Sequence, residues 1–96
     1  MTLLEDKFEI LEEKSDMLKT LGHPIRLSIV DILSSTEQLT VTEIYQTLGI
    51  EQAVASHHLR IMKNASIVKA SKRGKNTFYK IADPQITQLF QILFPA

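Results

Sequence analysis

The chain has 96 residues, no cysteine, 44% hydrophobic and 23% charged residues, and a formal net charge of zero. That length suits a single domain over 1–96, with a modest core that a second copy would usefully extend. The composition excludes a disordered chain, and the absence of cysteine excludes a disulfide framework, a thiolate metal site and a thiol-based switch.

Residues 3–21 read as a first helix. Leu4, Phe8, Leu11, Leu18 and Leu21 recur near helical spacing, and Gly22 is a stop signal. This acidic, amphipathic start lacks the basic-then-apolar pattern of a secretory signal, and no apolar run nears the ~18 residues of a membrane span. A cytoplasmic location with no membrane partner is therefore expected. His23-Pro24 opens a second helix to about Leu33, with proline in the first turn, where a missing N–H costs nothing. Ile25, Ile29, Val30 and Leu33 are its inward residues. Residues 34–39 form a polar connection.

Thr40 and Glu43 have capping-box spacing and start a third helix that ends at Leu48, with Gly49 supplying the turn. A fourth helix covers about Gln52 to Asn64. Two short helices joined by a short turn containing glycine carry the helix-turn-helix pattern. Residues 67–72 and 76–82, rich in β-branched and aromatic residues, flank the turn Arg73-Gly74-Lys75-Asn76 and read as a β-hairpin. Asp83 and Pro84 then start a last helix as N-cap and first residue. The expected fold is mainly α with a hairpin (α+β), in the order α-α-α-α-β-β-α: a winged helix-turn-helix.

The zero net charge hides a division. Residues 1–51 hold four Lys/Arg and ten Asp/Glu, whereas residues 52–96 hold seven and one. Between Glu51 and Asp83 no acidic residue occurs, which suits a phosphate backbone; a solvated basic face is the plainer reading. The fourth helix sharpens the choice. At about 100° per residue, Gln52, Lys63, Ser56, Arg60, Ala53 and His57 fall on one arc without an acid, while Ile61, Val54, Met62, Ala55 and Leu59 fall on the other. Glutamine reads adenine and arginine reads guanine through paired hydrogen bonds, and the first residues of such a helix reach deepest into the groove. Gln52, Ala53, Ser56 and His57 are therefore the expected base readers. Arg60 stands at the boundary, and Lys63 is a phosphate contact. His58 points into the apolar side and reads as a partly buried histidine with a hydrogen-bond partner. Lys72, Arg73 and Lys75 at the hairpin tip are the expected wing contacts to phosphate or minor groove. Lys69 and Lys80, further from the tip, read as solvated.

These residues also carry a family resemblance over about residues 15–83. The segments LKTLGHPIRLSIVDIL, LTVTEIYQTLGIEQAVASHHLRIMKNASIV and KRGKNTFYKI resemble the arsenic-responsive (ArsR-type) metal-sensing repressors, winged helix-turn-helix regulators. The resemblance implies a homodimer joined through its first and last helices, and a repressor that binds an imperfect palindrome near its target promoter. Leu4, Phe8 and Leu11 near the start, and Leu89, Phe90, Leu93 and Phe94 near the end, exceed what one small core needs and are the expected dimer contacts.

The departures from the family pattern bear on control. Thr40 and Thr42 stand where metal-sensing members often carry two cysteines, and threonine is a poor ligand for soft metals or arsenite. Asp83 matches one ligand of a second family site, but Gln85 stands where a histidine would. The adjacent His57 and His58 point about 100° apart and do not chelate one ion together. No metal is expected. Glu51 replaces the usual Ser-like cap, and Ser66 replaces the usual glycine. No paired carboxylates beside a histidine and no Gly-rich phosphate loop occur, so neither enzyme activity nor a cofactor is expected. The reading is a homodimeric regulator of double-stranded DNA without metal response; the alternative is a winged-helix module that docks on protein.

Overall fold

The computed structural model describes residues 3–95; positions 1, 2 and 96 of the 1–96 span lie outside the described residues. Eight elements follow in order: α1 (Leu3–Leu21), α2 (Pro24–Ser34), β1 (Leu39–Thr40), α3 (Val41–Leu48), α4 (Gln52–Asn64), β2 (Val68–Arg73), β3 (Asn76–Ile81) and α5 (Pro84–Leu93).

The helix ends follow from capping chemistry. The His23 Nδ1 accepts from the Ile25 backbone N–H at 3.1 Å, so a histidine rather than a hydroxyl caps α2. Thr40 and Glu43 form the full box at α3. The Glu43 N–H donates to Thr40 Oγ1 (3.1 Å), and the Glu43 carboxylate accepts from the Thr40 N–H (2.9 Å). The turn after α3 closes with Gly49 at φ 65° and with the Ile50 N–H donating to the Tyr45 carbonyl. The end of α4 uses the same wiring. The Ile67 N–H donates to Met62 O and the Ser66 N–H to Lys63 O, the two bonds of a Schellman motif. Its left-handed position is Ser66, at φ 59°. Asp83 caps α5 through the Gln85 N–H at 2.9 Å.

One element was missing from the expected order. Leu39 and Thr40 form β1, which pairs antiparallel with β3 (Leu39 with Tyr79, Thr40 with Phe78), and the three-stranded sheet runs β1-β3-β2. Two residues are too few for an alternating pattern, and their partner lies some forty positions away, so local sequence carries no signal for them. Strand β2 also begins at Val68 rather than Ile67, because the Ile67 N–H is spent on the end of α4. The hairpin loop is Gly74-Lys75, with Gly74 at φ 61°. Positive φ at the first loop position is what a two-residue II′-class hairpin turn asks for.

The core gathers Leu21 from α1; Ile29, Val30 and Leu33 from α2; Ile44 from α3; Leu59 and Met62 from α4; Ile67 and Val68; and Ile86 and Phe90 from α5. Helix α1 adds little beyond Leu21 and the half-buried Met17, and most of its length is exposed.

A side chain in the left-handed region costs roughly 1–2 kcal/mol, part of which glycine returns as unfolded-chain entropy. Ser66→Gly is therefore expected to stabilise the protein by about 0.5–1 kcal/mol. Urea denaturation at fixed protein concentration checks this, and an unchanged or lower midpoint would show that Ser66 is not strained.

Candidate nucleic-acid interface

Helices α3 and α4 and the β2–β3 hairpin meet around one side of the domain. Helix α4 is held by Ala55, Leu59 and Met62, each with no exposed surface, and by His58 at 6%. That packing turns the opposite face outward. Gln52, Ala53, His57, Arg60 and Lys63 are exposed, and Ser56 is half-buried at the edge of the face. All six expected contacts of this helix therefore lie on one accessible surface without an acid. Glu51 at its N-terminal edge is exposed and forms no side-chain cap, so it leaves the first turn without the usual hydroxyl partner.

The wing residues divide. Lys72 and Lys75 are exposed near and at the tip. Arg73 is exposed too but is turned back on the hairpin. Its guanidinium stacks on the Phe78 ring at 4.6 Å and donates to the Gln38 side-chain carbonyl. This fixes Arg73 against the strands rather than leaving it to sweep the solvent. The hairpin register also places Lys69 directly opposite Lys80. Like charges facing each other across a strand pair repel, and a nearby anion relieves them. Both side chains are exposed, as expected of solvated lysines. The two-residue loop Gly74-Lys75 sets this register, because counting back along both strands from Arg73 and Asn76 brings 69 against 80.

His58 has the hydrogen-bond partner expected of a buried histidine: its Nδ1 accepts from Arg26 Nε at 3.1 Å. Burial holds its pKa below the ordinary histidine value, and His23, Arg26 and His57 nearby push in the same direction. Arg26 and His23 were missed as contributors. The signal available for them was an arginine in the first turn of α2, where a cation opposes the helix dipole and needs a reason to be there.

The positions that the resemblance matches to metal ligands are engaged otherwise. Thr40 Oγ1 accepts from the Glu43 N–H and donates to the Glu43 carboxylate at 3.0 Å, and the Asp83 carboxylate caps α5. Among the described residues no group of three or more His, Cys, Asp or Glu is placed to hold a metal ion, and no helix is long and apolar enough to cross a membrane.

The dimer expectation needs one correction. Phe90 is only 8% exposed, buried in its own chain's core, because it lies four residues after Ile86 on the face that packs against α2. Leu89 is half-buried. Leu4, Phe8, Leu11, Leu93 and Phe94 remain exposed, at 77%, 60%, 55%, 58% and 57%, and are joined by Ile10 and Ile92.

Comparison with known proteins agrees with this architecture. Residues 21–69 match a family model described as a helix-turn-helix domain. The chain is 34% identical over 98 residues to the transcriptional repressor PagR of Bacillus anthracis, covering 99% of this chain and 98% of that one. The crystal structure of PagR superposes with a TM-score of 0.83 at 33% identity, over 91% of this chain and 99% of PagR. The solution structure of a homodimeric winged helix-turn-helix DNA-binding domain from Mycobacterium bovis, described as a possible ArsR-family regulator, superposes with a TM-score of 0.82 at 28% identity, over 91% and 80%. A helix-turn-helix with a basic wing, an acid-free outer face on its second helix and relatives of this kind identify the chain as a member of the ArsR-type family of winged helix-turn-helix, DNA-binding transcriptional regulators.

Proposed function

We propose that the protein is a homodimeric repressor that binds an imperfect palindrome in double-stranded DNA and does not respond to metal. The observation that carries this reading is the outward face of α4, where Gln52, Ala53, Ser56, His57, Arg60 and Lys63 stand together with no carboxylate among them. In this reading Gln52, Ala53, Ser56 and His57 read base edges, Arg60 reads guanine at the boundary, and Lys63 neutralises phosphate. Lys72, Lys75 and the stacked Arg73 lie along the backbone beside the groove.

The exposed apolar residues of α1 and α5 supply the dimer contact. Two phenylalanines and several leucines and isoleucines left in water on two helices are costly, and a second copy removes them from it. A two-fold dimer presents its recognition helices about one DNA turn, ~34 Å, apart, which demands a two-fold related site. Repression follows from occupying such a site over a promoter, and the relative PagR is named a transcriptional repressor.

The case against metal control is chemical. Soft metals and arsenite want thiolate, and the chain has none. Thr40 Oγ1 and one carboxylate oxygen of Asp83 are engaged in helix caps.

Three outcomes are expected. Selection of bound DNA from a random pool at defined salt enriches a palindrome; no enrichment would favour docking on a protein instead. Arg60→Ala and Ser56→Ala each weaken binding to that palindrome by about 1–3 kcal/mol in an anisotropy titration, and unchanged affinity would show that another face reads the DNA. Addition of Zn(II), Cd(II) or arsenite leaves affinity and melting temperature unaltered, so metal-induced release from DNA would reveal a site built from other ligands. The dimer contact has its own check: Phe8→Glu shifts sedimentation toward the monomer, and a dimer that survives this change must be joined elsewhere.

A further inference from the structure

The chain has three histidines, and all three stand in one row across the seam between α2 and α4. The His23 ring lies 4.5 Å from the His58 ring, and His57 lies 5.2 Å beyond it. Arg26 closes the row. Its Nε donates to His58 Nδ1 at 3.1 Å, and its Nη1 donates to the Thr20 carbonyl, also at 3.1 Å. Thr20 belongs to the last turn of α1, where carbonyls lack helical partners and a cation is favoured by the helix dipole. One guanidinium therefore joins three helices: its own α2, the end of α1 and the recognition helix α4.

The remainder of the contact between α1 and α4 has little to hold it. Leu21 is the one α1 residue in the buried core, and the exposed length of α1 carries the apolar face that faces a second copy. The orientation of α4 relative to that face is consequently sensitive to the directional bonds that Arg26 of α2 makes to each of them. We propose that the Arg26–His58 hydrogen bond is a clasp that sets the angle between α1 and the recognition helix, and so fixes the distance between the two recognition helices of a dimer. The inference rests on the dimeric reading above. Arg26 and His58 act as positioning residues here, because neither lies on the exposed face of α4.

The chemistry of the clasp makes it open in acid. Arginine is always a donor, so His58 Nδ1 must be unprotonated to accept from it. His23 Nδ1 is likewise occupied, accepting from the Ile25 N–H. A proton on His58 Nδ1 removes the acceptor and sets an imidazolium against the guanidinium. The titratable and charged groups facing His58 are His23 and Arg26 of α2 and its own neighbour His57, and none of them compensates a new positive charge; α1 contributes only the Thr20 carbonyl, already bound to Arg26. Burial and these neighbours keep His58 neutral in the folded protein below the ordinary histidine value of ~6.5. The unfolded chain takes up the proton first as pH falls. The stability contributed by the clasp is thus complete above about pH 6.5 and is lost progressively below it, through the lowered value of the folded state.

The lack of cysteine makes the test direct, since Asn64→Cys places one spin label per chain at the exposed end of α4. Pulsed electron resonance on the dimer without DNA reads the separation of the two recognition helices. At about pH 7.5 a single narrow distribution is expected. As pH is lowered until the His58 ring signals in NMR report protonation, the distribution should shift or broaden by several ångström. His58→Asn, whose Oδ1 accepts from Arg26 and does not titrate, should keep the narrow distribution at both pH values. Arg26→Met should broaden it at both. Circular dichroism reports whether the variants fold, and the acid arm needs no substitution at the clasp. A distribution unmoved by His58 protonation, or moved equally in His58→Asn, would overturn the clasp while leaving the dimer intact. The absence of any inter-label distance would overturn the dimer reading and the clasp with it.

Discussion

Ala55, Leu59 and Met62 are removed from water completely, and this burial of one side of α4 governs which residues the helix presents to solvent. Burying a leucine or methionine side chain is worth roughly 1.5–3 kcal/mol, several times what any exposed polar contact on the other side contributes. The helix therefore has one rotational setting about its own axis. Once the apolar residues are inside, Gln52, His57, Arg60 and Lys63 have nowhere to go but outward. Ser56, between the two sides, is half-buried for the same reason. The polar face is held in place without being locked by contacts of its own, which leaves its donors and acceptors available to a partner.

The same balance leaves α1 incomplete. A helix in a protein draws most of its stability from tertiary packing of its apolar face, and α1 has nineteen residues to support. Within one chain that packing is confined to its last turns, near Met17 and Leu21, where Arg26 also reaches the Thr20 carbonyl. The first turns keep Leu3, Leu4 and Phe8 in solvent. The part of the protein that one chain stabilises least is the part that leaves the most apolar side chains in water. The end of α1 that is anchored is also the end wired to α4 through Arg26.

Charge follows the same geography. The carboxylates concentrate on α1, while the acid-free stretch 52–82 supplies α4 and the hairpin. A neutral protein can thus present a strongly positive surface to a polyanion while its remaining surface stays acidic and repels it, which orients the approach as well as strengthening it. Lys69 opposite Lys80 belongs to that surface. It is a repulsion that the fold tolerates, and a phosphate backbone would relieve it.

Much of this was legible in the linear chain, because the signals were local. The Thr40–Glu43 box, Gly49, Asp83-Pro84 and the 3.6-residue period of α4 each act within a turn or two of backbone, so they determined the helices, the two helix faces and the burial of His58. Ser66 was visible as a departure from a glycine, and its positive φ gives that departure its physical cost. What tertiary structure alone decided involves residues far apart in sequence. Strand β1 exists because β3 comes back to it. Phe90 belongs to its own core because α5 packs on α2. Arg73 is stacked on Phe78 and bound to Gln38 because the hairpin folds back beside the connection before α3. The bond from Arg26 to His58 spans 32 positions, and neither residue's local pattern contains the other. By itself the sequence determined which side of residues 52–64 faces outward. Only the folded chain decided what holds the other side at its angle, since a hydrogen bond between two helices depends on where both have packed.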